Sequence, residues 1–267
     1  MIGKVDITVQ YSTEKEDERI LLAKILDKQR FCLSKNKVTY SDFLNPKEKA
    51  IIQKNLNLRN YFFYGVCDNA DREVLVFFPE KMNEELAINA LKSEFTIVRV
   101  ELPNNLKGEY EHRDYLSVLM RMGMTREKIG DILVFPEGAD IIAFTVNRDY
   151  IIQSLGEFTR FKKARIYEVS LGDIREKEEK FEERTIIVAS MRIDNFVAEL
   201  VGCSRNKSEE FIDDERVYIN YELVTKNSKF VNIGDIVNIR GKGKFIVDGL
   251  VRNTRNDRNV IKVRKFA

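Results

Sequence analysis

Residues 190–245 read SMRIDNFVAELVGCSRNKSEEFIDDERVYINYELVTKNSKFVNIGDIVNIRGKGKF. Along this stretch the spacing of apolar residues changes from helical to alternating. Ile193, Phe196, Val197, Leu200 and Val201 fall on one helix face. Gly202 ends that helix, since glycine takes the left-handed cap without a Cβ penalty. Ser204 can cap a second short helix that turns Phe211 and Ile212 inward. Val217-Tyr218-Ile219-Asn220 alternates like a strand, and Gly234-Asp235 forms a turn before another, Ile236-Val237-Asn238-Ile239. The pattern predicts a helix pair followed by a small β ribbon.

The polar residues of this stretch are cationic. The helices carry Arg192, Arg205, Asn206 and Lys207, and the end of the ribbon carries Arg240, Lys242 and Lys244 among glycines. Arg and Lys can reach phosphates, and Gly241 and Gly243 are expected to let backbone N–H groups approach. Asp194 is expected to pair with Arg192 at the helix start, because a carboxylate facing phosphate is repelled. A convex cationic helix pair suits a folded RNA read by shape and backbone. Net charge over the whole chain is only +2, but it is unevenly spread. Residues 184–267 hold 16 Lys+Arg against 11 Asp+Glu, and the last 28 residues hold 9 against 2. A basic end on a near-neutral body marks a local polyanion footprint.

Upstream, residues 173–183 are a mixed-charge stretch that reads as a linker. Residues 71–172 alternate strands and helices. The strands fall at 74–78, 95–102, 131–135, 141–146 and 165–169, and the helices at 83–91, around Tyr115-Leu116-Leu119-Met120, and at 150–155. This predicts an α+β domain, an RRM-like sheet with helices on one face. Residues 1–70 read as a mainly helical segment, with a helix face at Ile20, Leu21, Ile25 and Leu26 and a helix start at Asn45-Pro46-Lys47-Glu48. The expected architecture is therefore multidomain α+β: 1–70 helical, 71–172 central, 173–183 linker, and 184–267 the helix pair and ribbon with a basic tail. A second candidate RNA surface lies in the central domain, at His112, Arg113, Arg126 and Lys128 and in the base-and-aromatic cluster Arg160, Lys162 and Lys163 around Phe161. Charged helix ends are ordinary, so residues 160–165 read equally well as a solvated helix end.

Several chemistries are excluded by residue type. Cys32, Cys67 and Cys203 are far apart and there is one histidine, which argues against a structural zinc site. The scattered thiols read as reduced residues of a cytoplasmic protein. The first residues lack a signal-peptide apolar core, and no run has the length a membrane span needs. His112-Arg113-Asp114 is no kinase loop, since Leu119 stands where an Asn is required and there is no DFG. Gly241-Lys242-Gly243-Lys244 is no P-loop. No cofactor, metal or small-molecule substrate is expected, nor a catalytic residue.

Taken as a set, Arg192-Ile193-Asp194, Ser204-Arg205, Val217-Tyr218-Ile219-Asn220 and Gly234-Asp235 resemble the RNA-binding domain named from small-subunit ribosomal protein S-four. The sequence departs from that pattern at Arg216, where many members have Gly, and at Tyr221, where many have Gly after the Asn. Upstream, residues 111–134, EHRDYLSVLMRMGMTREKIGDILV, and the loop Arg240-Gly241-Lys242-Gly243-Lys244-Phe245 resemble the YlmH family of bacterial S-four proteins. The resemblance implies RNA contacts by Arg192, Ser204, Arg205 and Lys207. It implies docking on ribosomal RNA of the large ribosomal subunit near tRNA, in rescue of obstructed subunits that hold peptidyl-tRNA, with a link to cell division. The alternative is an RNA-modifying enzyme, a pseudouridine synthase or methyltransferase, using the S-four domain for targeting. Such enzymes usually carry that domain first, and here it comes last.

Overall fold

The computed structural model describes residues 15–68, 70–176, 181–254 and 258–266. The expected linker falls partly outside the described residues, at 177–180, and so do 1–14 of the N-terminal segment and 255–257 and 267 of the basic end. The chain divides into two compact units, Met1–Lys177 and Glu178–Ala267. Among the described residues no helix is long and apolar enough to cross a membrane.

The first unit opens with α1 (Glu16–Lys35), β1 (Thr39–Leu44), α2 (Pro46–Asn55), β2 (Tyr61–Tyr64) and β3 (Glu73–Phe77). The helix start read at Asn45 is present: its side chain accepts from the Glu48 N–H, Glu48 reaches back to the Asn45 N–H, and Pro46 sits in the first turn. The two strands β1 and β2 were not expected in this segment. They flank β3 in an antiparallel sheet of order β1-β3-β2, so the 70/71 boundary expected from the sequence runs between strands of one sheet. On β3, Leu75 and Phe77 pack with Leu22, Ile25 and Leu26 of α1 and Ile52 of α2. Val74 and Val76 face the other way. Both faces of β3 are thus buried, which is why it reads as a continuous apolar run.

Next come α3 (Glu84–Leu91), β4 (Phe95–Glu101), α4 (His112–Arg121), β5 (Ile129–Phe135), β6 (Gly138–Phe144), α5 (Arg148–Glu157) and β7 (Arg165–Val169). The four strands form an antiparallel sheet of order β5-β6-β4-β7. This is the split βαβ order, reached by β4-α4-β5-β6-α5-β7. Gly138 is needed at the β5–β6 turn, where φ is +141° and a Cβ would sit 1.8 Å from the Val100 carbonyl oxygen. Helices α4 and α5 cover one face, burying Tyr115, Leu119, Ile151 and Leu155 against Val98, Val100, Ile141 and Ala143.

The second unit holds β8 (Phe181–Val188), α6 (Ile193–Val201), α7 (Arg205–Asp213), β9 (Val217–Ile219), β10 (Glu222–Leu223), β11 (Ile236–Ile239), β12 (Gly243–Asn253) and β13 (Asn259–Phe266). Its six-stranded sheet has the order β10-β9-β11-β12-β13-β8. The stretch expected as a basic tail forms much of β12 and all of β13 instead, and β13 pairs along its full length with β8, from Asn259↔Val188 to Phe266↔Phe181. Alternation explains this: Ile261 and Val263 point into the core while Lys262 and Arg264 point out. The expected linker likewise ends in strand, since β8 begins at Phe181. The core gathers Ile193, Phe196 and Val197 of α6 and Phe211 and Ile212 of α7 over Val217, Ile239, Val247 and Ile261. Burying each large aliphatic side chain contributes about 1.5–3 kcal/mol.

Candidate nucleic-acid interface

In the second unit, two helix starts meet at one carboxylate. Arg192 is the N-cap of α6 and Arg205 the first residue of α7. Both reach Asp194, which is fully buried: Arg192 Nη2 lies 2.7 Å and Arg205 Nη2 2.9 Å from its Oδ2. The Asn195 N–H also donates to Asp194 Oδ1 at 2.9 Å. Burial pushes the Asp194 carboxyl up, but the hydrogen bonds from Arg192, Arg205 and Asn195 together outweigh it and hold it below the ordinary carboxylate range. The guanidinium groups are not consumed by this pairing. The Arg192 side chain keeps 34% of its exposure and Arg205 58%. Each donates to Asp194 through Nε and Nη2, and Arg205 Nε also lies 3.7 Å from Glu209, which leaves the remaining N–H groups of each fork. Helix N-termini favour anions, so two of them side by side with two forked cations are chemically suited to closely spaced phosphates.

Ser204 caps α7 by accepting from the Lys207 N–H, and Asn206 and Lys207 are exposed beside it. Among the described residues Lys207 makes no ion pair. Lys207 and Lys242 both lie near enough to Cys203 to favour its thiolate, though burial outweighs them and raises the thiol. The β11–β12 turn holds Arg240 and Lys242 between its two strands. Gly241 and Gly243 in this turn have φ of +78° and +126°. The Lys242 N–H is bonded to the Ile239 carbonyl and the Arg216 guanidinium to the Arg240 carbonyl. The glycines thus serve the tight hairpin, and the Lys242 N–H between them is spent inside it. Arg240 stacks over Tyr218 at 5.0 Å, and Lys244 lies over Tyr221 and Phe266 at 5.3 and 4.6 Å. At Tyr221 the chain takes a conformation that glycine would adopt without a Cβ penalty. Asn220 and Tyr221 both adopt positive φ, 48° and 67°, at the β9–β10 turn, and Asn220 fastens that turn to Asp235 and the Ile236 N–H.

The second candidate surface does not hold together as one patch. Arg126 is half-buried and donates to the Ile129 and Gly130 carbonyls, both at 3.0 Å. Burial, helped by the nearby Arg72 charge, lowers its pKa to about 10. Lys128 is paired with Asp42 at 2.6 Å. Both are engaged within the first unit, Arg126 by carbonyls and Lys128 by a carboxylate of β1. Of the other five, His112 and Arg113 open α4 and Arg160 reaches it. Arg160 bonds Asp114 of that helix at 2.6 Å, which brings it to the end where His112 and Arg113 are exposed. Lys162 and Lys163 follow, exposed and without an ion pair among the described residues. Phe161, read as part of an aromatic nucleic-acid surface, is fully buried against Tyr115.

The outer face of the four-stranded sheet, where a domain of this topology could stack bases, is filled. Phe95, Ile97, Ile142 and Phe144 pack on Phe43, Val74 and Val76 of the three-stranded sheet. Farther along the same face, Asp140 is fully buried between Arg99 and Arg175, and the Arg175 guanidinium lies 4.4 Å from the centre of the Phe135 ring. The segment after β7 is thereby strapped across the sheet.

Two family models match the chain: the S4 domain over residues 191–237, and "Putative RNA-binding domain in YlmH" over residues 92–171. The Ribosome-associated protein quality control protein P2 of Bacillus subtilis (strain 168) is 27% identical over 256 residues, covering 93% of this chain and 95% of that protein. The structure of the cell division protein ylmH from Streptococcus pneumoniae has a TM-score of 0.48 and 15% identity, covering 62% of this chain and 99% of that chain. At that likeness its name carries nothing over to this protein. The chain thus matches the RNA-binding domain of YlmH in its middle and the S4 domain after it, in the order that the resemblance implied.

Proposed function

We propose that this protein binds RNA without catalysing a reaction. It docks on ribosomal RNA of the large ribosomal subunit, beside tRNA, in the rescue of obstructed subunits that carry peptidyl-tRNA. The observation that carries the reading is the pair of cationic helix starts meeting on Asp194 inside an S4 domain. The Bacillus subtilis relative, named for ribosome-associated quality control and matched over most of both chains, supports the ribosomal assignment. Arg192, Ser204, Arg205, Asn206, Lys207, Arg240, Lys242 and Lys244 form the main contact surface. His112, Arg113, Arg160, Lys162 and Lys163 form the second.

The test is sedimentation with purified large subunits over a salt series. Arg205→Ala should weaken binding and reduce the slope of log affinity against log salt by about 1, the loss of one phosphate contact. Undiminished binding by an Arg192→Ala, Arg205→Ala double variant would remove the helix starts from the interface.

A further inference from the structure

Phe230 belongs to neither cationic group considered so far. It stands in the loop between β10 and β11 and is 63% exposed. The backbone places it with care. Phe230 forms an isolated antiparallel bridge with Arg192, flanked by the Ile193 N–H bonded to the Lys229 carbonyl and the Val231 N–H bonded to the Met191 carbonyl, both at 2.8 Å. Bonds at the flanking positions make Arg192 and Phe230 a non-hydrogen-bonded pair, the geometry in which opposed side chains share a face and stand closest. Phe230 therefore projects on the side of the bridge where Arg192 projects.

Single exposed apolar residues are ordinary. Here the ring is held by two backbone bonds next to Arg192, which shares Asp194 with Arg205. Lys226, exposed, belongs to the same loop. A bare aromatic ring beside cations offers an unstacked base its π-face while the neighbouring groups hold the adjacent phosphates. We infer that Phe230 is a base-stacking residue, and that the RNA met by the helix starts carries an unpaired nucleotide next to the phosphates bound by Arg192 and Arg205. The inference rests on the RNA-binding reading above and adds the class of RNA recognised.

The experiment compares two RNA hairpins in a titration with the full-length protein, one carrying a single bulged 2-aminopurine nucleotide and the other fully paired. Wild type should prefer the bulged hairpin, and its binding should quench the 2-aminopurine emission. Phe230→Ala should lose on the order of tenfold in affinity for the bulged hairpin and under about twofold for the paired one. Phe230→Trp should restore the preference. Since the chain has no tryptophan, its indole emission should fall as the bulged hairpin binds. No preference in wild type, or equal losses on both hairpins in Phe230→Ala, would overturn the inference. If Phe230→Ala matches wild type on both hairpins while the Arg192→Ala, Arg205→Ala variant loses both, the phosphate surface stands and Phe230 is left for another partner, such as an acidic protein. If that double variant also binds normally, the underlying RNA reading fails with it.

Discussion

Asp194 is the carboxylate that an RNA surface should least tolerate, and its full burial turns it into a strut. It fixes two guanidinium groups that would otherwise search many rotamers, so part of the entropy cost of ordering them is met before RNA arrives. Asp194→Asn should therefore weaken RNA binding several-fold although a negative charge is removed, the opposite of what simple charge counting predicts. It should also destabilise the fold by about 1–3 kcal/mol, below the figure for a fully buried pair because both arginines keep solvent contact. The sign of the pH dependence follows from the carboxyl being held below its ordinary range. Its stabilisation is present at pH above that range and is lost as pH falls through the folded-state value. Melting curves of wild type and Asp194→Asn should thus converge in acid and separate near neutrality. Arg192 and Arg205 were legible in the sequence because the helix starts were. Arg126 and Lys128 were not, because carbonyls from a strand and a carboxylate from β1 are invisible to local spacing.

Among the elements, the short turn at residues 126–128 is fixed to β1 and β5 by one buried arginine. Arg72, 7% exposed, donates to the Ile129, Phe43 and Arg126 carbonyls at 3.0, 2.8 and 3.1 Å. A lysine has no planar fork to satisfy three carbonyls, so Arg72→Lys should cost about 2–4 kcal/mol in urea unfolding. Asp131 faces the same knot, and burial raises its carboxyl from 3.8 to about 6. A raised acid stabilises the fold where it is protonated. The Asp131 contribution should therefore decline as pH rises from about 4 to about 6, by at most about 3 kcal/mol, and the decline should vanish in Asp131→Asn. Helices and apolar strands were legible from periodicity. The pairing of β8 with β13 was not, because residues 181–185 are almost all charged or polar and their partners lie some eighty positions away.

At the scale of the molecule, a sheet built in the order of an RNA-binding domain has its outer face sealed by a second sheet, β1-β3-β2. No reading of residues 92–171 alone could anticipate this, since Phe95 and Phe144 are as suited to stacking a base as to packing on Phe43. Their ring centres lie 5.9 and 4.7 Å from that of Phe43, so they are committed to the core. On the proposed reading, RNA contact by this unit falls to outward groups such as Lys162 and Lys163. Two variants separate the roles. Phe144→Ala should lower stability by about 3–5 kcal/mol while leaving the RNA affinity of the folded protein within about twofold. Lys162→Glu with Lys163→Glu should leave the melting temperature unchanged and reduce the salt slope of large-subunit binding by about 2. Should Phe144→Ala instead lose RNA affinity while still folded, the two sheets must part to admit a base, and the sealed face would be a latent site rather than a core.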